Sequence, residues 1–405
     1  MQELHVVLAV LGVLTLALAL TSRAVRELPL SEPLVALVAG TLLGPHVLGL
    51  LVLTPDTEEL VLLEGARVLL AGSVMAAALR FPVHSLRPLV RPLLLLLAVV
   101  MPVAALVTGA AALALGLPLA LAAVVGACLA PTDPVLAASV VTGEPAERDL
   151  PGRVRRVLTA ESGANDGLAL VLVGLAVAAA LPGEGPGDVV GRIVWEVTGG
   201  TLVGIVLGTA TGYALRAATR RHELEPGPEL LLSLLLAVAT LGVARTASTG
   251  GVLAVFVAGL AYNRVLGEEE RGGQDSIDEA INRYAVLPVL VALGSVLPWD
   301  RWAELGPPAL AFVAAVLVLR RPPLVLAVGR LLGLRLRDTV VVAWFGPVGL
   351  SAVFYLAHVR HEGVTDPRVF TVGSLAVAAS VLAFGLTASP GRRLYARVAG
   401  PQGGR

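Results

Sequence analysis

Residues 157–181 read VLTAESGANDGLALVLVGLAVAAAL, and the reading of this stretch decides the fold class. From Leu168 onward it is apolar on every side, which for a helix means burial against protein or lipid. Its first half carries Glu161, Ser162, Asn165 and Asp166, which fall on one arc of the wheel at about 100° per residue. The rest of the wheel is Ala, Gly, Leu and Val. Asp166 stands about 18 Å along a helix begun at Val154, close to the midplane of a bilayer. Polar glue between helices accounts for an Asn and a Ser, but two carboxylates within six residues exceed that need. A charge at membrane depth is expensive and marks a function by default, so a proton or cation site is expected here.

The rest of the chain agrees with a membrane setting. Of its 405 residues 56% are hydrophobic and 15% charged, with a mean hydropathy of +0.84. A soluble domain carries about 25% charge, which excludes secreted domains, cytosolic enzymes and nucleic-acid binders. The zero net charge offers no field to nucleic acid. The single Cys128 excludes an intramolecular disulfide and a Cys-based metal site. Gln2-Glu3-Leu4-His5 lacks the basic start of a cleavable leader, so Leu4–Leu20 is expected to stay as a first span. Neither a G-x-x-x-x-G-K-[ST] phosphate loop nor a Gly-x-Ser-x-Gly nucleophile motif occurs. Transport is therefore expected to be secondary or passive, with no cofactor and no enzymatic chemistry.

Segmentation at about 20 apolar residues per crossing predicts an all-α polytopic protein of about thirteen transmembrane helices. The spans are 4–22, 30–51, 59–79, 92–115, 118–142, 155–181, 189–216, 229–246, 250–265, 283–298, 309–330, 338–359 and 369–388. The transporter domain then occupies residues 1–390 and a short tail 391–405; the charged run 267–279 reads as a solvated loop. All thirty basic residues are Arg. Loops after the odd-numbered spans, with the tail, hold 22 of them, among them Arg23, Arg80, Arg153, Arg220, Arg271 and Arg335. The alternate loops hold only Arg301, Arg360 and Arg368, together with Asp56, Glu58, Glu59, Glu184 and Asp188. The positive-inside rule places the N-terminus outside and the C-terminus in the cytoplasm of a plasma-membrane-type bilayer.

Three further spans depart from plain apolar sequence. In helix 5, Pro131 and Pro134 must interrupt the helix, and Asp133-Pro134 reads as an N-cap and first residue of a restart. A passive proline kink is the plainer alternative. Helix 12 holds a second interruption at Trp344-Phe345-Gly346-Pro347-Val348-Gly349. Paired broken spans mark an inverted repeat with an ion site at mid-membrane, mapping helices 1–6 onto 8–13 with helix 7 as connector. In helix 11, Pro307–Leu319 is too short to span alone, so the Arg320-Arg321 pair is drawn inside, where a buried Arg needs an anion. Glu161 and Asp166 are the candidate partners, and snorkelling to the surface is the alternative. Weaker candidates are the Glu64/Arg67 pair, His46, His358, Arg245 and Tyr262.

At these residues the chain resembles the monovalent cation/proton antiporters, specifically the NhaP-like prokaryotic branch related to the sodium/proton exchangers. The matching segments are APTDPV at 130–135, ESGANDG at 161–167, RRP at 320–322 and WFGPVGLSA at 344–352. The resemblance implies that Asp166 binds cation and proton alternately. Ser162 and the Thr132 carbonyl would add cation ligands, and Glu161 would reach the ion directly or through water. It implies that Asn165 braces the crossing of helices 5 and 6, Asp133 offsets the converging helix starts, and Arg321 pairs with Glu161. It also implies a homodimer, with helices 1–3 and 8–10 at the interface and helices 4–6 and 11–13 as the moving core. Relatives commonly carry Arg where this chain has Val348. The implied activity is Na+ (or Li+) exchange for H+ by alternating access, electroneutral because Asn165 leaves one titrating group beside the site. K+/H+ exchange on the same fold and a passive cation channel are the alternatives.

Overall fold

The hydrophobic stretches fold as helices joined by short turns, in a computed structural model that describes residues 2–20, 30–181, 183, 185–221, 226–266 and 284–399. In chain order these are α1 (Gln2–Leu20), α2 (Glu32–Leu43), α3 (Pro55–Leu79), α4 (Val83–Ala114), α5a (Leu119–Cys128) and α5b (Pro134–Val141). They continue with α6 (Gly152–Ala180), α7 (Pro186–Arg220), α8 (Pro226–Thr246), α9 (Gly251–Val265) and α10 (Leu287–Ser295). The last are α11 (Pro307–Val328), α12a (Leu336–Trp344), α12b (Leu350–His361) and α13 (Pro367–Ala399). No strand occurs among the described residues. Apolar side chains such as Leu202 on α7 and Leu310 on α11 stand exposed on the outer faces, as lipid contact requires.

Six helices among the described residues, α3, α4, α6, α7, α11 and α13, are long and apolar enough to cross a bilayer unaided. Two expected spans are shorter than predicted. The span expected at 30–51 stops at Leu43, because Pro45 cannot continue it and the chain turns through Gly49 at φ +64°. The span expected at 283–298 holds nine α-helical residues among the described ones, ending before Pro298. The charged run 267–279 lies outside the described residues, as do Arg23, Arg26, Glu184, Arg271, Arg283 and the tail beyond 399.

Departures from regular helix recur in both halves. Residues Leu96–Val100 of α4 and Ala315–Leu319 of α11 form π-turns. Each lies just before a proline, Pro102 in α4 and Pro322 in α11. A widened turn shifts hydrogen bonding to the fifth residue on, so that Arg320 N–H reaches the Ala315 carbonyl at 2.9 Å. Helices α5 and α12 are broken between their a and b halves. Among the described residues, the π-turns pair α4 with α11 and the breaks pair α5 with α12, the pattern of an inverted repeat.

Helix contacts are close where the sequence supplies glycine. Gly200, Gly204, Gly208 and Gly212 recur every fourth residue along α7 and face α9, where a Cβ on Gly208 would stand 2.2 Å from the Ala258 carbonyl. Gly208→Val is expected to push α7 off α9 and cost about 1–3 kcal/mol, as overpacking does, read as a lowered Tm in detergent. Gly163 and Gly167 likewise let α6 lie against Phe256 and Leu253 of α9.

Candidate ion-binding site

The α5 helix ends at Cys128 because Pro131 and Pro134 lack the N–H groups to continue it. It restarts at Asp133, the N-cap of α5b, whose Oδ1 accepts the Leu136 N–H at 2.8 Å. The α12 helix stops at Trp344 and restarts after Gly349. The two breaks lie against each other: Asp133 N–H donates to the Pro347 carbonyl at 2.9 Å, and Ser351 N–H donates to Asp133 Oδ2 at 3.0 Å. Only glycine fits at 349, since a Cβ there would stand 2.9 Å from Asp133 Cγ. One carboxylate therefore caps two helix starts, whose positive dipole ends it offsets.

The opposite ends of the breaks are served by Arg320. Its Nη1 donates to the carbonyls of Leu129 (2.7 Å), Ala130 (3.1 Å) and Pro131 (3.3 Å), and its Nη2 to that of Gly346. A guanidinium thus gathers the negative ends of α5a and α12a, as Asp133 gathers the positive ends of α5b and α12b. This corrects the expectation that each buried arginine needs an anion, because four carbonyl dipoles replace one for Arg320. The anion goes to its neighbour. Arg321 meets Glu161 through both terminal nitrogens, Nη2 reaching Oε2 at 2.8 Å, and its Nε and Nη2 also donate to the Val342 carbonyl. Both arginines are buried, so neither snorkels.

Two of the remaining polar residues of α6 have side-chain partners, and the third has none among the described residues. Asn165 Nδ2 donates to Thr132 Oγ1 at 2.7 Å, joining α6 to the α5 break. Ser162 Oγ donates to the Thr159 carbonyl of its own helix at 3.2 Å. Asp166 is fully buried, and among the described residues neither of its carboxylate oxygens accepts a hydrogen bond. The Ser351 hydroxyl faces it, short of hydrogen-bond geometry, and the Tyr355 hydroxyl donates to its backbone carbonyl. Val348 is buried in the α12 break, its N–H donating to Ser380 Oγ at 2.8 Å. The structure thus brings Thr132, Asp133, Glu161, Asn165, Asp166, Arg320 and Arg321 into one set of contacts between the two breaks and α6.

Sequence reasoning missed Ser351, Tyr355 and Ser380. Ser351 lies in the quoted WFGPVGLSA segment, directly after the second break, where a restarting helix aims its first turn at the site. Tyr355, one turn further, is a buried hydroxyl in an apolar run. Among the weaker candidates, Glu64 and Arg67 pair with each other. Arg67, Arg245 and His358 line a cavity of about 310 Å³ between α3, α6, α7, α8, α12b and the start of α9, and Tyr262 is buried. No group of three His, Cys, Asp or Glu side chains among the described residues is gathered for a resident metal.

A family model for the transmembrane part of sodium/hydrogen exchangers matches residues 13–391. A protein named Na+/H+ antiporter 2 from Zygosaccharomyces rouxii is 32% identical, over 86% of this chain and 45% of its own length. A Na+/H+ antiporter from Saccharomyces cerevisiae is 29% identical over 89% of this chain and 38% of its own. The chain spans about half or less of the length of these curated relatives. The solved structure of the sodium proton antiporter MjNhaP1 from Methanocaldococcus jannaschii superposes with a TM-score of 0.78 at 19% identity, covering 98% of this chain and 100% of that one. The two share a fold.

Proposed function

This chain belongs to the sodium/hydrogen exchanger family, and from that membership we propose that it is a secondary transporter exchanging Na+ for H+ across its membrane by alternating access. The observation that carries the reading is the buried Asp166 carboxylate beside two broken helices, neither oxygen of which has a partner among the described residues. Among the described residues the neighbouring charges are used: Asp133 by two backbone N–H groups, Glu161 by Arg321, and Arg320 by helix-end carbonyls. A proton and a hard cation are the species that an open carboxylate takes, and they compete for the same oxygens.

Asp166 alternates between the two ions. Ser162, whose oxygen keeps its lone pairs while donating to Thr159, and the Thr132 carbonyl add ligands to the cation's shell. Asn165 fixes the distance between α5 and α6, and Asp133 holds the helix starts together. Glu161 acts on the ion through its charge, since Arg321 occupies its oxygens. One open carboxylate supports one-for-one, electroneutral exchange. The moving core comprises helices 4–6 and 11–13, working against helices 1–3 and 8–10 of a homodimer, with α7 as connector. The arginine bias supports an outside N-terminus and a cytoplasmic C-terminus in the plasma membrane.

The test is proton flux in sealed proteoliposomes carrying a pH gradient, with NaCl, LiCl, KCl and choline chloride added in turn. Na+ should collapse the gradient, Li+ less or equally, and choline not at all; a preference for K+ would move the protein to K+/H+ exchange. Half-saturating Na+ should rise as pH falls, approaching about tenfold per unit at the acid limit, because each bound proton excludes a cation. Clamping the voltage at zero should leave the rate unchanged. Flux that ignores every small cation would overturn the reading.

A further inference from the structure

The hydroxyl of Ser351, which neither the resemblance nor the matched relatives' names assign, occupies an unusual place. The side chain is fully buried, and its oxygen has no hydrogen-bond partner among the described residues. Many buried hydroxyls in helices satisfy themselves by donating three or four residues back, as Ser162, Ser295 and Ser374 do here; Ser73, Thr108 and Thr240 are also buried without a partner among the described residues, but none of them lies at a helix break beside a carboxylate. Ser351 does not take that route. It is the second residue of α12b, so the carbonyl four residues earlier belongs to Pro347 in the break, and that carbonyl accepts from Asp133. Its backbone N–H is fixed to Asp133 Oδ2, which leaves the hydroxyl facing the open carboxylate of Asp166. Asn165 Oδ1, also buried, is a further oxygen without a partner on the same turn of α6.

We propose that Ser351 is a cation ligand contributed by α12b, completing the oxygen shell around the Asp166 carboxylate and setting its preference among small alkali cations. A hydroxyl suits the position because it serves both states of the site. Rotated one way it presents a lone pair to the ion; rotated the other it donates to the carboxylate. Because α12b carries both this ligand and the N–H that holds Asp133, cation binding draws α12b and α6 together, and the second broken helix takes a direct part in loading. This assignment rests on the exchange reading above.

The experiment compares wild type, Ser351→Ala, Ser351→Cys, Ser351→Thr and Asp166→Asn as full chains in proteoliposomes, measuring half-saturation and maximal rate with Na+ and Li+. Loss of the oxygen in Ser351→Ala should raise half-saturating Na+ roughly ten- to hundredfold, the value of one charge-assisted contact, and change the Na+/Li+ ratio. Ser351→Cys keeps the volume but offers soft sulfur, and should show the same loss; it carries the test if the alanine variant does not fold. Ser351→Thr, which keeps the hydroxyl, should recover wild-type half-saturation. Unchanged half-saturation in Ala and Cys, or a fall in maximal rate alone that is equal for both ions, would overturn the assignment while an inactive Asp166→Asn keeps the exchange reading in place. Exchange surviving in Asp166→Asn would overturn both.

Discussion

Asp166→Asn is expected to abolish cation-driven proton flux and to leave the protein at least as stable as wild type. Both halves follow from the same geometry. Asn has the shape of Asp without its charge, and because neither carboxylate oxygen accepts a hydrogen bond among the described residues, the substitution breaks none. What it removes is a buried ionised group without a partner, a state that is several kcal/mol unfavourable. The gain is present to the extent that the wild-type carboxylate is charged. Thermal unfolding in detergent at alkaline pH should therefore give a Tm equal to or above that of wild type, while flux in proteoliposomes falls to that of protein-free vesicles. Added Na+ should stabilise wild type by mass action, about 2.7 kcal/mol at a hundredfold excess over Kd, and leave the variant's Tm unmoved. Cation-dependent flux in the variant, or a Na+-induced rise in its Tm, would remove Asp166 from the centre of the site.

The parts of this site that were legible in the sequence are those fixed by local chemistry. Pro131, Pro134 and the Gly346-Pro347-Val348-Gly349 run break helices wherever they occur, so both interruptions could be read without a partner in view. The spacing of Glu161 and Asp166 puts them on one face of any helix. What sequence could not supply depends on long-range register. Arg320 and Arg321 are adjacent, and which one faces Glu161 depends on a π-turn in Ala315–Leu319, a plain aliphatic run that gives no sign of its extra residue per turn. The bond from Ser351 to Asp133 joins residues 218 apart in sequence. Span ends suffered for a related reason: hydropathy continues from Leu43 to Leu53 although Pro45 has already turned the chain. Hydropathy measures what lipid and protein interior tolerate, and a buried turn satisfies it as well as a helix does.

Removing one partner of the Glu161–Arg321 pair should have the other large effect, this time on stability. The side chains are 3% and 5% exposed and meet through both ends of the fork. Losing either partner strands a charge in the interior, worth about 3–5 kcal/mol, whereas replacing both by neutral groups of similar volume is often close to neutral. Glu161→Gln and Arg321→Met should each lower the Tm sharply, and the double variant should recover most of the loss. Methionine is the informative replacement, because the Arg321 stem fills the space beside Gly346, where a Cβ would stand 2.1 Å from its Cδ; alanine would add a cavity to the lost charge. Flux should stay low even in the recovered double variant, since Arg321 also holds the Val342 carbonyl near the end of α12a, and the α12 break would lose that anchor. A double-mutant cycle by unfolding in detergent measures the coupling. If the two single losses merely add, α6 is held in place by its glycine contacts with Phe256 and Leu253, and the ion pair serves transport without serving the fold.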